Sequence, residues 1–217
     1  MTAGDALVTR ATLWAWLARA FWYPEPAFVA TLRDPVEGAS LDQAAGRLGL
    51  ASAWDRLRLA VDALQGAPLD LDEEYTYLFE RTVRCSPHEG SYPAAPAAER
   101  TQPLANLGSF YAAFGLQVSQ ERRELPDHIS MEQEFMGVLL AKEAYALSQG
   151  WLDRADICAQ ARGRFAAEHL GRWLNRFSRR LSEEARLDFY PAAAAVALAL
   201  LAHEPAPTAS APRATET

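Results

Sequence analysis

Cysteine is nearly absent: Cys85 and Cys158 are the two thiols in 217 residues. Two cysteines cannot build a disulfide scaffold, and a chain of this length does not need one, which points to a reducing compartment. Phosphate-cradling motifs are missing. Neither G-x-x-x-x-G-K-[ST] nor G-x-G-x-x-G occurs, which removes the standard nucleotide cradles. Long apolar runs are absent too. Leu13 to Tyr23 is interrupted by Arg19 and lacks a small-residue cleavage site. Ala192 to Ala202 is eleven residues long, too short for a bilayer and suited to a buried helix. Positive charge is in deficit: the net charge of −7 argues against a nucleic-acid binder, since neutralising phosphates takes a basic surface. The same acidity suits a basic partner, such as an arginine-bearing peptide. These absences predict a cytoplasmic protein with no membrane insertion and no nucleic-acid partner.

Helical periodicity dominates what is present. Leu13, Trp16, Leu17 and Ala20 form a stripe within Leu7 to Phe21 that stops before Pro24. Ser40 is placed to cap a helix through Leu48, Ser52 one that ends at Gly66, and Asp70 a third that buries Tyr75, Leu78 and Phe79. From Arg84 to Pro103 the period vanishes among prolines, the signature of a functional or disordered loop. Helical patterns return over Leu104 to Phe114, Asp127 to Ser148 and Asp153 to Phe177. A last helix begins near Ser182 and is broken or kinked at Pro191. No stretch alternates like a strand. The expectation is an all-α, single-domain helical bundle of roughly eight or nine helices over residues 1–203. Residues 204–217, rich in Pro, Ala and Thr, read as a disordered tail.

Two places carry candidate chemistry. Glu124-Leu125-Pro126-Asp127-His128 stands before the longest helical pattern. Pro126 disfavours helix before it, so Asp127 is expected in the first turn, where a carboxylate is favoured by free N–H groups and the dipole. His128 can change charge near neutral pH. The pair can cap a helix, grip a partner or act in hydrolysis. Cys85-Ser86-Pro87-His88-Glu89 has C-x-x-H spacing and supplies two or three of the four ligands a zinc site needs. An enzyme using Cys85 and His88 with a metal, or Asp127 and His128 in hydrolysis, is therefore the alternative to a binding protein. His169 reads as a satisfied helix-face histidine, and the tryptophans as core.

Three pieces occur in a familiar order: Glu74-Tyr75-Thr76-Tyr77-Leu78-Phe79, then Cys85-Ser86-Pro87-His88-Glu89 with Tyr92, then Leu125-Pro126-Asp127-His128-Ile129 with Glu132, Glu134, Phe135 and Met136. Together with Phe165, His169-Leu170, Trp173, Phe177 and Phe189-Tyr190, the set resembles the TorD/DmsD/NarJ family of chaperones dedicated to molybdenum-containing oxidoreductases. The resemblance spans roughly residues 7 to 202. It implies a TorD-like helical fold and no catalysis. The implied partners are a molybdoenzyme catalytic subunit and its twin-arginine signal peptide, held until the molybdenum cofactor is inserted. No cofactor would be bound stably by the chaperone itself, and the protein would be a monomer or a dimer. By position, Glu124, Pro126, Asp127, His128 and Glu132 would lie at the signal-peptide site, with Tyr75, Leu78 and Phe79 shaping an adjoining apolar surface. Ser86, Pro87, His88, Glu89 and Tyr92 would form a flap over it. The loop reads Ser-Pro-His-Glu where many members have Pro-Tyr-Glu, which points to a subgroup serving periplasmic enzymes for small organic or oxyanion substrates.

Overall fold

A computed structural model of the protein describes residues 1–64, 69–92, 102–117 and 125–204. The chain runs α1 (Ala3–Ala20), α2 (Pro26–Leu32), α3 (Pro35–Arg47), α4 (Ala51–Ala63) and α5 (Leu69–Tyr75), which passes into a π turn at Thr76–Glu80. After a loop come α6 (Gln102–Ala113) and α7 (Ile129–Ser148). Then α8 (Leu152–Phe165) passes through a second π turn, Ala166–Leu170, into α9 (Gly171–Glu184), and α10 (Phe189–Leu201) follows. No strand occurs among the described residues, so the protein is all-α.

Helix starts follow local chemistry. Thr2 and Asp5 close a reciprocal capping box on α1. Asp34 accepts the amides of Val36 and Glu37 in front of Pro35, so α3 starts five residues before Ser40 and Ser40 lies inside it. Ser52 likewise lies inside α4, whose N-cap is Leu50. Gly66 lies outside the described residues. Pro191 does not break α10, because it falls in the first turn, where amides have no intrahelical acceptor to lose. The expected helix start near Ser182 is instead the last turn of α9. Gly171 ends the second π turn because nothing larger fits: a Cβ there would stand 2.6 Å from the Ala166 carbonyl oxygen.

Helices α1 and α7 make the most extensive pairing. Trp22, just past the end of α1, stacks on His128 at the start of α7, while Ala11 and Ala15 lie against Gly137, so the two run antiparallel. A Cβ at Gly137 would come within 3.3 Å of the Ala11 carbonyl oxygen, and its absence lets the axes close. Helix α10 is buried along most of its length, with Phe189, Tyr190, Ala192, Ala193, Ala194, Val196, Ala197 and Leu200 all excluded from solvent. It fits the expectation for an apolar run too short for a membrane. No described helix is long and apolar enough to cross one. Phe21, Phe79, Phe177 and Tyr190 meet in one aromatic cluster at the centre, each buried ring contributing about 1.5–3 kcal/mol of burial.

Glu74 is fully buried and ties α5 to the α9–α10 turn. Its carboxylate accepts the amides of Arg186 and Leu187 and the Arg186 Nε. At the far end, Glu204 is not part of a free tail: its side chain is buried between Arg10 and Arg162, both of which pair with it. Residues 205–217 lie outside the described residues.

Candidate functional site

The loop after the first π turn is laid across the N-terminus of α7. The Cys85 amide donates to Leu78 O at 3.0 Å, which anchors the loop's start. A single antiparallel bridge then joins His88 to His128. Its rungs are Ile129 N to Pro87 O at 2.8 Å and Glu89 N to Asp127 O at 3.0 Å. The first of these satisfies an α7 amide that has no partner within the helix. Tyr111 of α6 steadies the other side, its hydroxyl donating to Pro126 O at 2.8 Å.

Asp127 sits in this crossing, 4% exposed. One carboxylate oxygen faces His88 Nδ1 at 3.1 Å and the other accepts the Gly90 amide at 3.1 Å. Burial works to raise its pKa, but the hydrogen bonds from His88 and Gly90 outweigh burial and hold it below the usual carboxylate range. His128 is the N-cap of α7, its Nδ1 accepting the Ser130 amide at 3.2 Å. The ring lies flat on Trp22, centroids 4.9 Å apart and planes 8° from parallel. Burial, with nearby His88 acting in the same direction, pushes its pKa down to about 3 against the pull of Asp127. The imidazole is therefore neutral, and with Nδ1 accepting, its proton is on Nε2.

Beneath the crossing lies a second, deeper acid–imidazole pair. Glu89 Oε2 meets His169 Nδ1 at 2.9 Å, both side chains buried, across 80 residues of sequence. The second π turn carries His169 to this contact, in keeping with the association of such turns with functional positions. Next to it, Glu132 is fully buried. Its Oε2 accepts the Trp173 Nε1–H at 3.1 Å, while Oε1 has no partner. Burial and the neighbouring Glu89 push its pKa well above the usual carboxylate range, against the pull of the Trp173 hydrogen bond. The His169 Nε2, the Ser130 hydroxyl and the Gln133 amide are also buried without partners among the described residues.

A groove of about 990 Å³ runs along the α1–α7 seam on the side away from His128. Val8, Ala11, Ala15, Gly137 and Val138 line it, and the exposed carboxylates of Asp5 and Glu134 stand at its edge.

The nitrate reductase delta subunit family matches residues 43–179, more than half of the chain. The chain belongs to this family. The matched span takes in the loop from Cys85 to Tyr92, Asp127, His128, Glu132, His169 and Trp173. The chlorate reductase assembly chaperone protein of Ideonella dechloratans is 36% identical over 136 residues, covering 60% of this chain and 68% of the relative. The selenate reductase assembly chaperone protein of Thauera selenatis is 36% identical over 137 residues, with the same coverage. The chaperone protein TorD of Vibrio vulnificus strain YJ016 is 26% identical over 196 residues, 85% of this chain and 87% of the relative. The likeness to TorD-type proteins drawn from short motifs thus extends along most of the chain.

With the family in view, each expected residue can be placed. Pro126, Asp127, His128, Glu132 and the loop residues Ser86, Pro87, His88, Glu89 and Tyr92 converge at the crossing. Glu124 lies outside the described residues. Asp127 is not in the first turn of α7 but just before it, because His128 takes the capping place. Tyr75, Leu78 and Phe79 form no apolar surface. They are buried against Tyr190 and Phe177 in the core. The catalytic alternative meets a different geometry from the one it needs: His128 spends Nδ1 on the helix cap, and Asp127 pairs with His88 instead. Cys85 is buried against Tyr92 and the Phe177 carbonyl, and burial pushes its thiol up to about 12, which leaves neither a nucleophile nor a ready ligand at neutral pH. Among the described residues, no group of three or more His, Cys, Asp or Glu side chains is arranged to hold a metal ion. Reading the sequence missed Trp22 as the platform for His128 and missed the Glu89–His169 pair. The first follows only from the end-to-end closure of α1 on α7, and the second joins segments no local period connects.

Proposed function

We propose that this protein is a cytoplasmic assembly chaperone for the catalytic subunit of a molybdenum-cofactor reductase. The observation that carries the reading is membership of the delta-subunit family together with relatives named as chlorate and selenate reductase assembly chaperones. In this reading the chaperone holds the apo subunit and its twin-arginine leader until the molybdenum cofactor is inserted, and so delays export. It performs no bond chemistry and keeps no cofactor of its own.

A twin-arginine leader is an apolar segment beside guanidinium groups, so its receptor needs apolar lining with carboxylates at one end. The α1–α7 groove offers the apolar lining, Glu134 stands on its side towards the start of α7, and the ionised Asp127 lies beyond that same end. Asp127 is covered by the loop, so a leader arginine reaches it as the loop from Ser86 to Tyr92 lifts. Capture is then an exchange of the His88 contact for one to the leader.

Calorimetry with a synthetic twin-arginine leader peptide from a molybdoenzyme catalytic subunit of the same organism tests the reading. Val8→Glu puts a charge on an exposed groove residue, and Asp127→Asn removes the carboxylate while keeping its shape. Each should weaken leader binding by about tenfold, of the order of one charged hydrogen bond. Unchanged affinity in both variants removes the site, and a wild-type protein that ignores the leader removes the function.

A further inference from the structure

The loop that turns His88 towards Asp127 has a second face, and that face is lined with arginine. Arg176, Arg179 and Arg180 occupy neighbouring positions on one side of α9, and Arg84 joins them from the loop's start. With the hydroxyl-bearing Ser86 and Ser91 they border a cleft of about 350 Å³. Like charges at such spacing repel, and they gather here in a chain whose net charge is −7.

Several contacts orient these guanidinium groups. Arg176 donates to the Tyr92 carbonyl at 3.2 Å and Arg180 Nε to the Arg84 carbonyl at 3.0 Å. Arg84 lies over the Tyr77 ring, 4.4 Å from its centroid. Cancellation is partial: Glu184 stands 2.9 Å from Arg180 and 3.4 Å from Arg84, and Glu183 3.6 Å from Arg180. Arg179 has no hydrogen-bond or ion-pair partner among the described residues.

We propose that this cleft receives an acidic peptide segment of a partner protein, with Arg179 taking a carboxylate of it. Carboxylate is favoured over phosphate on two grounds. Glu184 already bridges two of the arginines, which shows the geometry accepts that group. Phosphate sites usually draw on backbone amides, and here the amides of Ser91 and Tyr92 are committed to the carbonyls of His88 and Glu89. The cleft and the leader site share one loop, with Ser86 and Ser91 bordering the cleft and His88 meeting Asp127, so a client presenting both charges would bear on the same segment. The partner's identity as the client subunit rests on the chaperone reading. The chemistry of the cleft does not.

Fluorescence anisotropy of the full chain, with a labelled peptide of about twelve residues alternating glutamate and alanine, tests this at low salt. The expected result is binding that a glutamine–alanine peptide does not show, and that Arg179→Glu weakens at least about tenfold. Arg179→Lys should keep part of it. Arg179 has no partner to lose among the described residues, and circular dichroism verifies that the variant folds. Equal binding by wild type and Arg179→Glu, or no binding by wild type, overturns the proposal. Tighter direct binding of inorganic pyrophosphate than of the peptide overturns it in favour of a phosphate ligand. Arg179→Glu should leave leader-peptide binding unchanged, so loss of the leader site and loss of this one are read separately.

Discussion

Glu74 and Glu132 are both buried completely, yet the fold treats them differently. Glu74 is answered on both oxygens, by two backbone amides and the half-exposed Arg186 guanidinium. Glu132 receives one donor, the Trp173 indole, and keeps an oxygen with no partner beside a second acid, Glu89. A buried carboxylate stabilises a fold only when its lone pairs are met. Where they are not, the group is tolerated for another reason. Glu74 holds the α9–α10 turn in place. Glu132 is held in place by its surroundings, under the loop where the candidate site lies.

The sharpest way to break this contrast is Glu74→Ala. It strips three donors of their acceptor, and chemical denaturation should show a loss of about 3 kcal/mol, the low end for a broken buried pair because Arg186 can still turn to water. A loss below about 1 kcal/mol would put Glu74 in the same class as Glu132.

The next effect is on pH. Native His128 refuses a proton down to about 3, whereas an unfolded histidine accepts one near 6.5. Between those values the unfolded state binds more protons, so stability falls as pH falls, by at most about 1.4 kcal/mol per pH unit. Asp127, with its pKa held low, adds loss in the same direction below its ordinary value of 3.8. His128→Asn keeps an acceptor for the Ser130 amide but cannot titrate. Its melting temperature should therefore decline less steeply from pH 6.5 towards 4. An unchanged slope would show that His128 titrates normally.

Smallest is Glu132→Gln, expected to shift stability by less than about 1 kcal/mol, because the amide keeps an acceptor oxygen for the Trp173 indole. Its signature is again in the pH profile. Native Glu132 keeps a proton that the unfolded chain releases above about 4.5, so its burial costs stability as pH rises through that range. The glutamine variant should lose that downward slope. A penalty as large as that of Glu74→Ala would mean Glu132 is ionised after all.

The helical nature of the chain was legible because periodic stripes such as Leu13, Trp16, Leu17 and Ala20 bury one face wherever they occur. Boundaries were less so. Asp34-Pro35 outcompeted Ser40 as a helix start, and a run read as one helix from Asp153 to Phe177 proved to be two joined by a π turn, whose extra residue leaves no mark on a 3.6 period. The site was half legible. Pro126-Asp127-His128 announced a helix entrance, though which of the two polar residues would cap it depended on the loop from Cys85 to Tyr92 arriving to occupy Asp127. The helical period after Asp70 rightly put Tyr75, Leu78 and Phe79 on a buried face, and with Tyr75 and Phe79 packed on Tyr190 they leave no apolar surface for a partner. Partners as distant as Glu89 and His169 are set by tertiary closure alone.

The bond from the Ile129 amide to the Pro87 carbonyl has a dynamic consequence. It is the only tie of this kind from the described loop to the first amide of α7, so that hydrogen is shielded only while the loop is seated. Any partner that lifts the loop must release it to solvent or lend a carbonyl in exchange. The rate at which the Ile129 hydrogen trades for deuterium is thus a clock for loop opening, readable without a label and in the presence or absence of a bound chain.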